Sequence, residues 1–460
     1  MRIIYRTKSP IIGSLLEIPK DAVDVEALKA DLTISNGAYF QAMRVGSSVA
    51  GMAASIELFE EGETTIKVPR HYNPPWNGEP PFLGIAWRCR SPSVDLKSSI
   101  TLRNHTQTLA SKALVKDKSD KILALSCGKG KTVVGLHAAA MGNRAPFLVV
   151  VNTTALLDQW MERISEFYGI PKNEIGHVQA GTERWRGCKV VVGMLHSISM
   201  KRYPPEFYEY FRLVIFDEAH RLGAQEFSEA MKKFPCERWG LTATLRRADG
   251  NDKVIQMHLG EVCYQDLSQD LKPKVYFLNC ATRVDEARFI WRGNLNLANL
   301  TTWLCENETR NNHILSWINR AAKRGRTVLV LGERLTQVHS LYEGCEIDSK
   351  AIHIGAQSQD ERRAALRHQV VFATQHLAKE GLDRPEFDTL MILVPFTSES
   401  RMQQSVGRIQ REVSGKQAPT VLVFEDNISI ISAMARKMKR YFEAQGFEVR
   451  SGSAVAPTEE

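Results

Sequence analysis

The chain reads as α/β: two tandem parallel-sheet domains preceded by a small α+β segment. Three observations predict this. Short apolar runs alternate with helix-like stretches at Ile122–Leu125, Phe147–Val151, Val190–Val192, Leu213–Phe216 and Trp239–Leu241. Such continuous runs are the mark of strands buried on both faces of a parallel sheet. The same rhythm returns after Pro273, at Val275–Leu278, Thr327–Leu331, Val370–Ala373, Thr389–Val394 and Thr420–Phe424. At 460 residues, the chain is also too long for one ordinary core.

The boundaries follow from changes of texture. Residues 1–95 read as a separate unit, a small α+β accessory domain. Arg2–Arg6, Ile11–Ile18, Thr64–Pro69 and Phe82–Cys89 look like strands, and Val23–Leu32 looks like a helix started near Asp21. Val49–Leu58 is apolar and fits either element. A loop rich in Pro and aromatics, His71–Gly78, separates the last two strands. The first α/β domain spans 96–270 and the second 271–450, closing with a helix over Ile428–Gln445. Residues 451–460 are small and polar and read as a disordered tail.

Composition narrows the class. An apolar fraction of 43% and a charged fraction of 24% suit a soluble globular protein. No apolar run is long enough for a membrane helix, and the first residues lack a signal-peptide layout. A cytoplasmic protein is expected. The eight cysteines stand singly, none at Cys-x-x-Cys spacing, which argues against a zinc site. Net charge is +8, yet residues 1–100 hold eleven Lys/Arg and eleven Asp/Glu. The whole excess therefore lies in residues 101–460, where the motifs are, and suits a polyanionic partner.

The strongest motif follows the first buried run: Ser126-Cys127-Gly128-Lys129-Gly130-Lys131-Thr132, then a helical Val133–Met141. A phosphate needs exposed backbone N–H groups, and glycines let the loop wrap closely. A helix N-terminus adds partial positive charge. Lys131 is placed to reach the β and γ phosphates of a nucleoside triphosphate, and the Thr132 hydroxyl to ligate magnesium. The first position of the usual pattern is Leu125 rather than glycine. A second motif, Asp217-Glu218-Ala219-His220, ends the run Val214–Phe216. A carboxylate at the end of a buried strand is costly unless it meets a cation. Asp217 is expected to hold magnesium and Glu218 to polarise the attacking water. Thr242 and Thr244 in Gly240–Thr244 share one face of a strand and are placed to sense the nucleotide state. In the second domain, Gln404-Ser405-Val406-Gly407-Arg408-Ile409-Gln410-Arg411 puts two arginines three apart, on one helix face. Paired guanidiniums can stabilise charge on a transferred phosphoryl group.

In this order the motifs resemble the superfamily 2 helicases of the DEAH type. The run Gly240–Gly250, GLTATLRRADG, is similar to the DNA-acting branch that holds the XPB, RecG and phage UvsW-type enzymes. The resemblance covers about residues 100–450 and implies two RecA-like domains, ATP and Mg2+ as cofactors, and catalytic roles for Lys131, Asp217, Glu218, Arg408 and Arg411. It assigns Gly128, Lys129, Gly130, Thr132, His220 and Gln404 to the nucleotide, Gln107 to reading adenine, and Arg103 beside it. Asn152 and Thr153 would meet phosphates of the tracked strand, as would His196; Thr153 also suits a helix N-cap, and Trp160 a core position. Thr374 or Gln375 would touch the strand, with Gly381 and Asp383 on the nucleotide side. Gly332 and Gly355 resemble two further strand-contacting elements. The implied activity is ATP-driven translocation along DNA with unwinding or branch migration of forks and Holliday junctions, in recombination, repair or replication. The implied polarity is 3′-to-5′, and a monomer is the default. A duplex translocase without strand separation, an RNA helicase or ribonucleoprotein remodeller, and a non-enzymatic binder remain as alternatives.

Overall fold

A computed structural model describes residues 11–44, 48–78, 84–85, 91–126, 128–219, 224–243, 252–268, 271–291, 294–375, 384–411, 413 and 415–452. The chain divides into two compact units, residues 1–267 and 268–460. The join falls at Leu267/Ser268.

The first unit is built on eight strands: β1 (Lys121–Leu125), β2 (Phe147–Val151), β3 (Gly176–Gln179), β4 (Thr182–Arg184), β5 (Val190–Met194), β6 (Leu213–Asp217), β7 (Glu237–Thr242) and β8 (Val262–Asp266). Their order in the sheet is β4-β3-β5-β2-β6-β7-β1-β8. All neighbours are parallel except the β3/β4 hairpin. The central strands β1, β2, β6 and β7 are buried along their whole length, as their apolar runs require. Four helices matter below: α1 (His105–Val115), α2 (Lys131–Met141), α3 (Thr154–Tyr168) and α4 (Leu195–Met200). The carboxyl ends of β1, β2 and β6 feed the phosphate loop, α3 and the acidic motif, the edge of a parallel sheet where ligands gather.

The expected separate accessory domain is not found: the described residues of 11–95 do not fold around a core of their own. Leu16, Ile18, Leu28, Leu32, Ile66 and Val68 pack in one continuous apolar cluster with Ile122, Leu148 and Val214 of the α/β sheet. A segment this small buries too little surface to stand alone. Ile11–Ile18 is a hairpin of two short strands rather than one, and the helix begins at Val25 with Asp24 as its N-cap. Arg2–Arg6 lies outside the described residues.

A buried ion pair fastens this segment. Arg70 and Asp120 are 2% and 0% exposed at the side chain, and the guanidinium meets both carboxylate oxygens at 2.9 and 2.8 Å. Arg70 also donates to the carbonyls of Cys236 and Phe234. His71 and the Arg238 backbone N–H complete the shell around Asp120. Burial opposes ionisation of Asp120, but Arg70, His71 and Arg238 outweigh it and hold its carboxyl below the usual range.

The second unit carries seven parallel strands: β9 (Lys274–Asn279), β10 (Val328–Gly332), β11 (Lys350–His353), β12 (Val370–Thr374), β13 (Thr389–Ile392), β14 (Thr420–Glu425) and β15 (Glu448–Gly452). Their order is β11-β12-β10-β13-β14-β9-β15. The helix Ser429–Ala444 buries Ile431, Ala435, Met438 and Phe442. Ser451 and Gly452, expected in a disordered tail, belong to edge strand β15, which pairs with β9. Among the described residues, no helix is long and apolar enough to cross a membrane.

Arg70→Ala should lower the unfolding free energy by about 3–5 kcal/mol, because it strands a buried carboxylate. Urea unfolding measures this. A carboxyl with a lowered folded-state pKa stabilises above its unfolded pKa and loses that stabilisation as pH falls through the folded value. The gap between wild type and variant should therefore be full at neutral pH and close in acid.

Candidate functional site

The phosphate loop is held by contacts from three sides. Gly128 and Gly130 have φ of 88° and 81°, the left-handed region that favours glycine. At Gly130 space also forbids a side chain, since an added Cβ would lie 2.5 Å from Gln107 Nε2. Helix α2 starts at Lys131 and has no side-chain cap at its N-terminus. Its first-turn N–H groups are the kind that bind phosphate. Leu125 is the last residue of β1 and fully buried. A core strand residue therefore occupies the position where the usual motif has glycine.

Gln107 is 4% exposed, and both ends of its amide are engaged. Its Nε2 donates to the Lys129 carbonyl at 3.0 Å, and its Oε1 accepts from the Arg103 N–H at 2.9 Å. The residue assigned to reading adenine thus also buckles α1 to the phosphate loop. Arg103 itself is exposed. Lys129 Nζ sits 2.7 Å from Asp266 Oδ2, and the Ser126 N–H donates to the Asp266 carbonyl. Asp266 escaped the sequence reading because β8 is short and only half-buried, without a long apolar run.

The acidic motif lies at the end of β6. Asp217 is 4% exposed. Its Oδ1 accepts from the Glu218 N–H at 2.9 Å and its Oδ2 from Trp160 Nε1 at 2.7 Å. Burial, and then the Glu218 charge, push its carboxyl up to about 6; Trp160 and Lys131 work the other way. Glu218 has φ of 49°, a conformation that costs a non-glycine residue of order 1–3 kcal/mol and collects at functional sites. Lys131 Nζ is 3.9 Å from Glu218 Oε1 and 3.3 Å from the Leu125 carbonyl. Two adjoining carboxylates facing one lysine and the Thr132-bearing turn of α2 form an oxygen-rich, net acidic set. That set fits a magnesium ion carrying nucleotide phosphates. Thr242 is buried at the end of β7, whose Leu241 pairs in register with Asp217. His220 and Thr244 lie outside the described residues, as does Cys127 of the phosphate loop.

Asn152 and Thr153 sit between β2 and α3. Thr153 caps α3 by accepting the Leu156 N–H at 3.3 Å. Asn152 Oδ1 is buried and has no hydrogen-bond partner among the described residues. His196 is exposed in the first turn of α4. Trp160 is 1% exposed, as a core position demands, but its N–H is spent on Asp217. The signal was present in the sequence: a buried indole needs an acceptor.

In the second unit, helix α5 spans Glu399–Gly407, with Ser398 at its N-cap. It ends sooner than the motif spacing implied. Gly407 is the last helical residue, Arg408 is the C-cap, and Arg411 lies beyond the helix. The two arginines therefore do not share a helix face; glycine is a poor helix interior residue and favours the stop. Gln404 is buried within α5. Thr374 is half-buried at the end of β12. Gln375 is 1% exposed and joins strand ends: its N–H donates to the Gly332 carbonyl, its Nε2 to the Val394 carbonyl, and its Oε1 accepts from Arg401. That burial removes it as a surface contact for a strand. Gly332 is buried against Val338, whose Cγ2 would lie 2.9 Å from an added Cβ, which gives it a packing reason. Gly355 is exposed in the turn after β11. Gly381 and Asp383 lie outside the described residues.

Residues 99–247 match the family model described as type III restriction enzyme, res subunit. The chain is 26% identical over 408 residues to a protein of Acanthamoeba polyphaga mimivirus provisionally named an ATP-dependent RNA helicase, covering 85% of this chain and 77% of that one. It is 26% identical over 309 residues to the DNA 3′-5′ helicase XPB of Kineococcus radiotolerans, covering 63% of this chain and 54% of that one. The chain thus matches about half the length of the XPB relative. Among solved structures it resembles S. cerevisiae Dbp5 bound to RNA and ADP BeF3, with a TM-score of 0.53 at 15% identity, over 76% of this chain and 90% of that one. That likeness places both units among RecA-like parallel-sheet folds.

Two variants probe the site. Gly130→Ala should weaken nucleotide binding at least about tenfold, because the left-handed φ and the Gln107 contact both oppose a methyl group. Fluorescence titration with a mant-nucleotide reads this. Glu218→Gln should keep nucleotide affinity but lower phosphate release by about 10²–10⁴-fold, the usual worth of a positioned proton acceptor.

Proposed function

We propose that the chain is a superfamily 2 helicase, an ATP- and magnesium-dependent DNA helicase that unwinds or branch-migrates forked and four-way substrates, a reading supported by the family-model match and the XPB relative. The observation that carries the reading is the set Lys131, Thr132, Asp217 and Glu218 near the carboxyl ends of β1 and β6, beside a loop whose left-handed glycines suit a phosphate cradle. When bound, magnesium would supply divalent charge to the transferred phosphoryl group, held by Thr132 and Asp217. The chain's own residues do the rest. Gly128 and Gly130 shape the loop so that its N–H groups converge. Lys131 screens phosphate charge. Glu218, fixed by its left-handed backbone, orients the attacking water and takes up its proton. Arg408 and Arg411 are proposed to stabilise charge on the transferred phosphoryl group, and Thr242 to report the nucleotide state.

DNA is favoured as the track by the XPB relative, which also supports 3′-to-5′ motion. RNA is the second reading, supported by the name of the mimivirus relative, which covers more of this chain. Asn152, Thr153, His196, Thr374 and Gly355 are proposed to grip phosphates, so stepping would be largely independent of sequence. Residues 1–95 are proposed to engage duplex or branched DNA beside the motor.

ATPase and strand-displacement assays over single-stranded, duplex, forked, four-way and RNA substrates test the proposal. Stimulation and displacement should be greatest with forked or four-way DNA. Stimulation by blunt duplex without a displaced strand would instead identify a translocase, and a preference for RNA would identify an RNA helicase. Arg408→Ala should lower kcat by about 10³-fold or more with nucleotide affinity retained.

A further inference from the structure

We infer that Trp160 is a positioning residue through which the strand-contacting end of α3 sets the geometry of Asp217. The inference rests on the proposed function, since it concerns how nucleic acid would act on the hydrolytic site.

Asp217 has two oxygens, and each takes an N–H. Oδ1 takes that of Glu218, the next residue in the chain. Oδ2 takes the indole N–H of Trp160, from a different element, at 2.7 Å. The direction in which this carboxylate faces is therefore set jointly by β6 and by α3. A change in either donor rotates it.

Helix α3 is suited to pass on such a change. It runs without a break from Thr154 to Tyr168 and is capped at its N-terminus by Thr153. Trp160 lies two turns along, about 10 Å from the cap. Its ring cannot adjust alone: it is 1% exposed and reaches within 4.0 Å of where a Cβ on Gly135 of α2 would stand. Movement of α3 must therefore carry the indole with it. The far end of the lever carries the chemistry for a ligand. Asn152 Oδ1 is buried with no hydrogen-bond partner among the described residues, immediately before the Thr153 cap. A base N–H of the bound strand that donated to it would act on the first turn of α3. The alternative is that the indole only needs an acceptor and Asp217 is the nearest. That would give Trp160 a packing role without a reporting one.

Three proteins decide between these: wild type, Trp160→Phe, and Leu157→Ala as a packing control. Leu157 is buried on the same helix but has no N–H to give. In equilibrium titrations of mant-ADP against Mg2+, Trp160→Phe should need at least about fivefold more Mg2+ for half-saturation. Leu157→Ala should match wild type once folded, even if its Tm falls as far. In steady-state assays with single-stranded DNA, Trp160→Phe should lose most of the stimulation of kcat while its KM for DNA changes less than about twofold. With 5-fluorotryptophan incorporated, the 19F resonance missing from Trp160→Phe should shift when single-stranded DNA is added without nucleotide. Identical Mg2+ dependence in all three proteins, or a 19F resonance that ignores DNA, would overturn the inference. If wild type itself is stimulated by no nucleic acid, the proposed function falls and the coupling falls with it. If wild type and Trp160→Phe are stimulated alike, only the coupling fails.

Discussion

The first unit depends on how it treats two carboxylates buried at opposite ends of one sheet. Asp120 immediately precedes β1, and Asp217 ends β6. Both side chains are almost wholly withdrawn from water, so both pay the same desolvation cost. The fold compensates them differently. Asp120 receives Arg70 on both oxygens, with His71 and the Arg238 N–H beside it, and its carboxyl is held below the usual range. Asp217 receives two neutral N–H donors, with a second carboxylate beside it and Lys131 only partly offsetting, and its carboxyl is pushed up to about 6. The first is a closed structural site. The second keeps a surplus of negative charge whose natural complement is a cation, and that difference separates a rivet from a candidate reaction centre.

The closed site explains why the N-terminal segment is part of the first unit rather than an attachment. Arg70 comes from residues 1–95 but binds the residue that leads into β1, the strand that ends at the phosphate loop. Arg238 of β7 donates in turn to the Ser14 carbonyl. The strands that carry the phosphate loop and Thr242 are thus anchored at their amino ends by the N-terminal segment, while their carboxyl ends carry the chemistry. A role in engaging DNA must be studied with surface substitutions in this segment, because removing it also removes the Asp120 counter-charge.

Most of the architecture was legible because buried parallel strands cannot hide: β1, β2, β6, β10, β12, β13 and β14 are near-continuous apolar runs, and each lies where the runs predicted. What escaped is short, at an edge or dependent on tertiary contact. Strands β4 and β15 are mostly exposed and carry no apolar run. The shared core of residues 11–95 is invisible to local periodicity. The end of α5 at Gly407 was hidden by a motif spacing that suits a longer helix. The loop Gly128–Gly130 was legible because close wrapping around phosphate demands glycine; the roles of Gln107, Asp266 and Trp160 were not, since each acts through a partner far away in sequence.

The candidate nucleotide site was easier to read than the candidate strand contacts because the two proposed tasks constrain residue types differently. Hydrolysis needs a lysine, a hydroxyl and carboxylates at fixed places, and few side chains substitute. Gripping a phosphate needs only a donor, which any backbone N–H, hydroxyl or amide supplies. Thr153 shows why the structural and functional readings of such residues need not compete. Its Oγ1 accepts the Leu156 N–H and so caps α3. A hydroxyl that accepts in this way still has its own proton to donate. The same threonine can therefore start the helix and hold a phosphate, and the helix it starts is the one that delivers Trp160 to Asp217.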